Sequence, residues 1–192
     1  MIIHLNGWPG VGKKTVGQLV SRKLNARFIH NHLLHDAAIA CTGFSEVARW
    51  PLYEKIRVAA YEALAGIPAN EVIVMTNALC VGSERERAAW NHVVDLAISR
   101  SAPLIPIVLE TTLEENLRRL KDPSRDASKL REENLLAEYR ATDEIQKPLV
   151  KELLVINTTS LSPMKVAETI CEHAVPLRSR LESADESYKR LL

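Results

Sequence analysis

The chain has 192 residues, of which 46% are hydrophobic, and its 25 basic and 24 acidic side chains leave a formal net charge of +1. This length predicts a single domain with its own core, and the balanced charge without a long basic stretch argues against a nucleic-acid partner. Three scattered cysteines, the lack of a basic N-terminal segment and the lack of a long apolar run predict a cytoplasmic protein with reduced thiols and no membrane partner.

Short apolar runs alternate with helical periodicities along the chain. The runs predict strands at Ile2–Leu5, Glu71–Met75, Leu104–Leu109 and Leu153–Ile156, and Arg27–His30 is a brief further strand candidate, which makes five strands. Helical spacing predicts helices between and after them, from about Thr15 and at 33–41, 45–65, 83–99, 112–120, 130–142 and 163–173. This alternation predicts an α/β fold, a three-layer sandwich whose five-stranded parallel sheet carries helices on both faces.

A glycine-rich turn joins the first predicted strand to the first predicted helix. Residues 7–15 read Gly-Trp-Pro-Gly-Val-Gly-Lys-Lys-Thr, and a strand, such a turn and a helix together are typical of a phosphate-binding loop. Glycines let backbone N–H groups converge on phosphate oxygens, the helix N-terminus adds positive potential, and Lys13 adds a mobile charge. We therefore predict that a nucleoside triphosphate is bound by Gly7, Pro9, Gly10, Val11, Gly12, Lys13, Lys14 and Thr15.

The position after Lys13 departs from the common form of this loop. Serine or threonine usually stands there to hold Mg²⁺, whereas this chain has Lys14, and the hydroxyl comes one residue later at Thr15. The third predicted strand is followed by Thr76-Asn77, where a nucleotide hydrolase would usually have an aspartate. We expect Thr15, the phosphates and water to hold Mg²⁺, which readily keeps water ligands.

Residues 30–36, which follow the second strand, contain three of the six histidines. Ligands bind beyond the carboxyl ends of parallel strands, so this segment is a candidate site. In one interpretation Asp36 is a base that orients an acceptor hydroxyl, and Asn31 or His32 hydrogen-bonds the acceptor. In a second, the histidines and Asp36 form the metal site of a hydrolase; in a third, the histidines are merely packed or solvated. A helix beginning just after His32 places His32 and Asp36 on one side, which favours the first interpretation.

Arginines flank a polar, charged interruption at 121–129. A mobile segment near 118–131 that closes as a lid would exclude water and neutralise charge on a transferred phosphoryl group. We expect Arg119 or Arg125 to reach phosphate, with Arg118 as a further nucleotide contact. The alternative is a surface helix held by salt bridges, because glutamates lie at pairing distance on both sides.

With these motifs in place, residues 1–174 resemble the P-loop small-molecule kinases, in particular the nucleoside-monophosphate-kinase and shikimate-kinase-like group. Asn157 and Thr158 open a turn similar to the one that packs against adenine in this group. Arg140 lies where shikimate-kinase-like enzymes carry an acceptor-binding arginine. Their Asp-x-Asp acceptor motif is absent, since the corresponding residues 30–32 read His-Asn-His. This argues against shikimate as the acceptor, and the single later aspartate is similar to that of chloramphenicol phosphotransferases.

The resemblance implies an ATP- and Mg²⁺-dependent phosphotransferase acting on a hydroxyl of a small molecule. The alternative is a non-kinase ATP-binding switch or weak ATPase, which the missing carboxylate after the third strand favours. We expect one domain over residues 1–175, and residues 176–192 as a charged tail or a docked helix. The acceptor and the oligomeric state stay open.

Overall fold

The computed structural model describes residues 1–123, 130 and 132–183. Over these residues the chain forms, in order, β1 (Ile2–Asn6), α1 (Lys13–Leu24), β2 (Arg27–His30), α2 (Asn31–Thr42), α3 (Glu46–Ala65), β3 (Ile73–Thr76), α4 (Glu84–Ser99), β4 (Leu104–Glu110), α5 (Leu113–Leu120), α6 (Glu133–Thr142), β5 (Leu154–Asn157) and α7 (Pro163–Ser183). The five predicted strands are all present, each close to its predicted bounds.

The strands form one parallel sheet in the order β2-β3-β1-β4-β5. In the central strand, Ile3 pairs with Val74 of β3 and Ile105 of β4. Side chains of β1 alternate between two cores, because Ile3 and Leu5 pack with α1 and α7, whereas Ile2 packs with α3 and α4. Both faces are covered, which explains the continuous apolar runs and confirms the predicted three-layer α/β sandwich of the P-loop NTPase type.

The helices differ from the prediction mainly near the end of the chain. α7 continues through Pro176 to Ser183, whereas the sequence pattern predicted an end at His173. The segment 176–192 therefore begins as part of α7, and residues 184–192 lie outside the described part of the chain. None of the helices in the described residues is long and apolar enough to cross a membrane.

Arg100 fastens the end of α4 to the connection between α3 and β3. Its buried guanidinium donates to four backbone carbonyls at 2.6 to 3.3 Å, those of Leu64, Ile67, Pro68 and Glu71. Each hydrogen bond from a charged donor contributes about 1.5–3 kcal/mol, and a carbonyl left buried without a donor is costly. One side chain thus holds the α3–β3 connection in place.

Replacing Arg100 by Met keeps an apolar stem and removes the donors. We expect the free energy of unfolding in urea to fall by about 3 kcal/mol or more, because four carbonyls lose their donor together. The matched control is Arg87→Met, since Arg87 is exposed and donates to the carbonyl of Val81. That substitution is expected to cost about 0.5 kcal/mol or less. Equal losses in the two variants would contradict the assigned role of Arg100.

Candidate active site

A cleft of about 1420 Å³ lies over the carboxyl ends of the strands. Its walls are the glycine-rich loop at 9–15, the start of α2, the end of β3 with the residues that follow, and the turn at 158–163 after β5. An open parallel sheet places its ligands at this edge, as the sequence pattern predicted. The cleft is continuous from the loop and the β5 turn to the α2–α3 side.

The glycine-rich loop is seated closely against β4 and α5. Gly7, Gly10 and Gly12 have φ angles of 145°, 92° and 100°, in the region that side chains disfavour. A Cβ on Gly7 would lie 2.4 Å from the carbonyl oxygen of Leu109, and one on Gly10 would lie 2.6 Å from Nδ2 of Asn116. Glycine is required at both positions for the loop to approach its neighbours.

Loop residues differ in how they meet the cleft. The cleft wall includes Pro9, Gly10, Val11, Gly12, Lys13, Lys14 and Thr15. Of the loop residues predicted to contact phosphate, Gly7 is the one that does not line the cleft. It lies against Leu109 of β4 and positions the loop from beneath. Nζ of Lys13 donates to the carbonyls of Gly7 and Trp8 at 2.5 and 2.8 Å. Thr15 is exposed on the first turn of α1, which leaves its hydroxyl accessible from the cleft.

Arg140 supports the loop from behind instead of reaching an acceptor. Its guanidinium donates to Oδ1 of the buried Asn116 at 2.9 Å and to the carbonyl of Thr111 at 3.0 Å. Asn116 in turn donates to the carbonyl of Pro9 at 2.8 Å. Arg140 does not line the cleft, so the acceptor contact expected from the resemblance is not seen at this residue.

Arg119 ties the loop to the turn after β5. It donates to the carbonyl of Val11 at 3.2 Å and to Oγ1 and the carbonyl of Thr158 at 3.0 and 2.7 Å. It also pairs with Glu115 at 2.7 Å, as does Arg118 at 2.6 Å. Both arginines hold the pKa of the Glu115 carboxyl down at about 2 through their hydrogen bonds, Arg118 making the larger contribution.

The two described arginines of the predicted lid therefore play different parts. Both line the cleft, but Arg119 is committed to the loop and the turn, whereas the side chain of Arg118 is 72% exposed. Arg125, the third candidate, lies outside the described residues. The alternative prediction for this segment, a surface helix held by salt bridges, is supported in part, because Glu115 pairs with both described arginines.

The turn predicted to meet adenine opens on the cleft through Thr158 and the residues that follow it. Asn157 is not on the cleft wall. Its Oδ1 accepts a hydrogen bond of 3.0 Å from the backbone N–H of Thr159. Asn157 thus shapes the turn, and Thr158 and its successors present the surface.

The histidines after β2 are packed in a way that does not support the metal-site interpretation. His35 stacks on Tyr53 with ring centroids 4.0 Å apart and meets Trp50 edge-on at 5.1 Å. Burial lowers the pKa of His35 to about 4. Within the part of the chain that the structure describes, no three His, Cys, Asp or Glu side chains are grouped to hold a metal ion.

His32 and Asp36 lie on one side of α2, but only His32 lines the cleft. Nδ1 of His32 is 3.4 Å from Oδ1 of Asp36, as their spacing of four residues on a helix allows. The sequence correctly predicted that these two side chains are neighbours. Asp36, which was predicted to face the acceptor, is not among the residues that line the cleft.

A buried polar network connects β1 to the start of α2. Nε2 of His4 lies 3.0 Å from Oδ1 of Asn77, and Nδ2 of Asn77 donates to Oδ1 of Asn31 at 3.3 Å. The hydroxyl of Tyr53 donates to the same oxygen of Asn31. Complete burial lowers the pKa of His4 to about 4, so its imidazole is neutral near pH 7. Because Oδ1 of Asn77 can only accept, the tautomer that satisfies this contact carries its proton on Nε2.

Sequence reasoning missed this network. The available signal is His4 itself, a titratable residue inside an apolar strand that is buried on both faces. The network also accounts for Asn77, which follows β3 where nucleotide hydrolases usually have a metal-binding aspartate. Both ends of its amide are held by His4 and Asn31.

Neither a protein-family model nor a curated protein sequence matches this chain. Solved structures do resemble it. A gluconokinase from Sinorhizobium meliloti 1021 aligns over 95% of both chains with 18% identity and a TM-score of 0.62. The shikimate kinase from Aquifex aeolicus aligns over 90% of this chain and 95% of its own, with 22% identity and a TM-score of 0.54.

The Mycobacterium tuberculosis APS kinase, solved with AMPPNP and APS, aligns over 90% of this chain and 95% of its own, with 21% identity and a TM-score of 0.56. These three structures are named for different acceptors, and at such identities the shared feature is the fold. The chain has the fold of small-molecule P-loop kinases, which confirms the resemblance predicted from its sequence.

Burial of neutral His4 predicts a dependence of stability on pH. In the unfolded chain a histidine takes up a proton near pH 6.5, whereas folded His4 resists protonation down to about pH 4. The contribution of neutral His4 to the free energy of unfolding is therefore fully present above about pH 6.5. It is lost as the pH falls from 6.5 to 4, which lowers the free energy of unfolding by about 3 kcal/mol. His4→Gln keeps an N–H donor for Asn77 and cannot titrate.

We expect urea unfolding to show a smaller loss of stability between pH 7 and pH 4.5 in His4→Gln than in the natural chain, by about 2–3 kcal/mol. His35 remains in both proteins, so its contribution cancels in the comparison. The same loss in both proteins would show that folded His4 is not held neutral.

Proposed function

We propose that this chain is an ATP- and Mg²⁺-dependent phosphotransferase that transfers the γ-phosphoryl group to a hydroxyl of a small molecule. The observation that carries the proposal is the continuous cleft, which joins the phosphate-binding loop to a second, polar and aromatic end built from α2 and α3. Transfer between two ligands requires both ends. The fold shared with solved gluconokinase, shikimate kinase and APS kinase structures supports the same function.

At the nucleotide end, the backbone N–H groups of the loop and the ammonium of Lys13 bind the β- and γ-phosphates. The stem of Lys13 is long enough for its ammonium to exchange the loop carbonyls for phosphate oxygens. Thr158 and the turn after it form the wall for the base, held to the loop by Arg119. Arg118 borders the phosphates, and Arg125 is the further candidate for neutralising the transferred group.

The residues present fit Mg²⁺ with few protein ligands. Thr15 offers an accessible hydroxyl oxygen on the first turn of α1, and Asn77 is occupied by His4 and Asn31. Phosphate oxygens and water would complete the coordination, an arrangement typical of Mg²⁺. When bound, the ion neutralises charge on the β- and γ-phosphate oxygens.

At the acceptor end, His32 orients the hydroxyl and Asp36 acts through His32. The Asp36 carboxylate holds Nδ1–H of His32, which leaves Nε2 as the proton acceptor. As the acceptor oxygen bonds to the γ-phosphorus, its proton passes to Nε2, and the bond from the γ-phosphorus to the β–γ bridging oxygen breaks, releasing ADP. This changes the sequence-based expectation, in which Asp36 itself met the hydroxyl.

The non-kinase switch or weak ATPase remains the second candidate because Asn77 stands where a carboxylate would hold the metal. It uses the nucleotide end alone and leaves the polar acceptor end unexplained. The two functions separate in one assay, ADP release with and without a panel of hydroxyl compounds. Release that no compound stimulates would favour the switch.

Lys13→Met tests the nucleotide end. We expect acceptor-stimulated ADP release to fall by about 100-fold or more, because a charge that stabilises the transferred phosphoryl group is lost. Lys23→Met is the matched control, since Lys23 lies on the outer face of α1 and pairs with Glu168. ATP binding, followed by calorimetry, and turnover should be unchanged in the control. Full binding and turnover in Lys13→Met would refute this assignment.

His32→Gln and Asp36→Asn test the acceptor end. We expect His32→Gln to lower kcat by about 100-fold or more and Asp36→Asn by about 10-fold, with the KM for ATP unchanged in both. Because Asp36 acts through His32, the double variant should be no slower than His32→Gln alone. A larger loss in Asp36→Asn, or losses that multiply in the double variant, would restore the direct role of Asp36.

A further inference from the structure

The orientation of Asn31 is set by its neighbours. Its Oδ1 accepts hydrogen bonds from both the Tyr53 hydroxyl and Nδ2 of Asn77, which uses the two lone pairs of that oxygen. Asn31 lines the cleft, and within the described residues no acceptor is bonded to its Nδ2. Asn31 therefore presents N–H donors, and not an acceptor, to whatever occupies this end of the cleft.

Arg49 brings a positive charge to the same wall. Its side chain is only 14% exposed, and none of the described residues accepts a hydrogen bond from its guanidinium. The Nε atom is buried without a partner. The exposed carboxylate of Glu46 lies 3.6 Å from Nη2, a distance beyond hydrogen bonding. Glu46 is thus an exposed ion-pair partner that forms no hydrogen bond with the guanidinium, and an arginine fork matches the paired oxygens of an oxyanion.

Asn31 and Arg49 belong to one packed group. Tyr53, which holds Asn31, stacks on His35, and the charge of Arg49 is near enough to His35 to add to the lowering of its pKa by burial. The guanidinium of Arg49 also lies over the ring of Trp50, 4.6 Å from its centroid. Trp50 lines the cleft and supplies an apolar surface beside the donors.

No carboxylate of the described residues lines the cleft beside Arg49. Among the described residues, the acidic side chains on the cleft wall are Glu115 and Asp122, both at the α5 end. Asp36 is paired with His32, and the exposed carboxylate of Glu46 is paired with Arg49 at 3.6 Å. The chain as a whole has a charge of +1, so the charge at Arg49 is a local feature of this site.

We infer that the phosphate acceptor carries an oxyanion in addition to its hydroxyl, and that Arg49 and Asn31 bind this oxyanion while Trp50 packs on the body of the molecule. The inference rests on the proposed function and names its substrate class, a hydroxyl compound bearing a carboxylate, phosphate or sulfonate. A neutral acceptor would leave the buried donors of Arg49 without an acceptor, which is costly.

The test is ADP release with ATP, Mg²⁺ and matched acceptor pairs. One arm compares hydroxy acids with their primary amides; the other two compare sugar phosphates and hydroxy sulfonates with their parent alcohols. We expect kcat/KM for the anionic member to exceed that of its neutral partner by about 10-fold or more in one arm, which identifies the oxyanion. Equal use of both members in every pair would overturn the inference and leave phosphotransfer standing.

Variants of Arg49 and Asn31 test whether these two residues cause the preference for an anionic acceptor. Arg49→Met should bring the ratio of anionic to neutral acceptor close to one, mainly through KM, and Arg49→Lys should restore part of it. Asn31→Asp should lower the ratio further, since it adds a negative charge facing the oxyanion. Arg85→Met is the matched control: Arg85 lies over the same Trp50 ring, at 3.7 Å, but does not line the cleft. The Arg85→Met variant should keep the preference for the anionic acceptor.

ATP-induced thermal stabilisation, measured without acceptor, shows that each variant is folded and binds nucleotide. A preference that survives Arg49→Met in a folded variant would overturn the role of Arg49. If the natural chain binds ATP but phosphorylates neither member of any pair, the proposed function itself fails, and this inference fails with it.

Discussion

The seating of the phosphate-binding loop is the constraint on which the rest of the site depends. Glycines have many accessible backbone conformations. A loop that was free before binding would therefore lose much conformational entropy when it bound a phosphate, unless the fold already held it in place. Asn116 holds it at Pro9, and Arg119 holds it at Val11. Arg140 fixes Asn116 in turn. Two arginines that resemble ligand-binding residues in sequence thus organise the loop before any ligand arrives, which is how a site gains both affinity and geometry.

A second constraint runs from the middle of the sheet to the acceptor end. Burial keeps His4 neutral, and a neutral imidazole that donates to Asn77 determines which way the Asn77 amide turns. Asn77 then donates to Asn31, whose own amide group is left to face the cleft. The hydrogen-bonding character of the cleft wall is therefore set inside β1. It also explains why the residue after β3 is an amide, since a carboxylate there would be unable to donate to Asn31.

The sequence predicted what depends on local signals. Continuous apolar runs identified β1, β3, β4 and β5, whereas β2 reads Arg-Phe-Ile-His and contains no such run. The glycine spacing identified the loop with Lys13 and Thr15. The side-chain roles of Arg140 and Asp36 were not predictable, because sequence position places a residue at the right edge of the sheet without showing which way it faces. Arg140 is held by Asn116, 24 residues away, and does not line the cleft; Asp36 pairs with His32, which does. Such contacts arise only when distant elements pack.

The fate of the γ-phosphoryl group distinguishes transfer to an acceptor from hydrolysis. ATP labelled in the γ-phosphate would be incubated with the protein, Mg²⁺ and a hydroxy acid that stimulates ADP release, and the products separated. We expect the label to appear in a phosphate ester of the hydroxy acid, in amounts equal to the ADP formed. Label that appears only in inorganic phosphate would contradict it, since ATP would then be hydrolysed and no acceptor used.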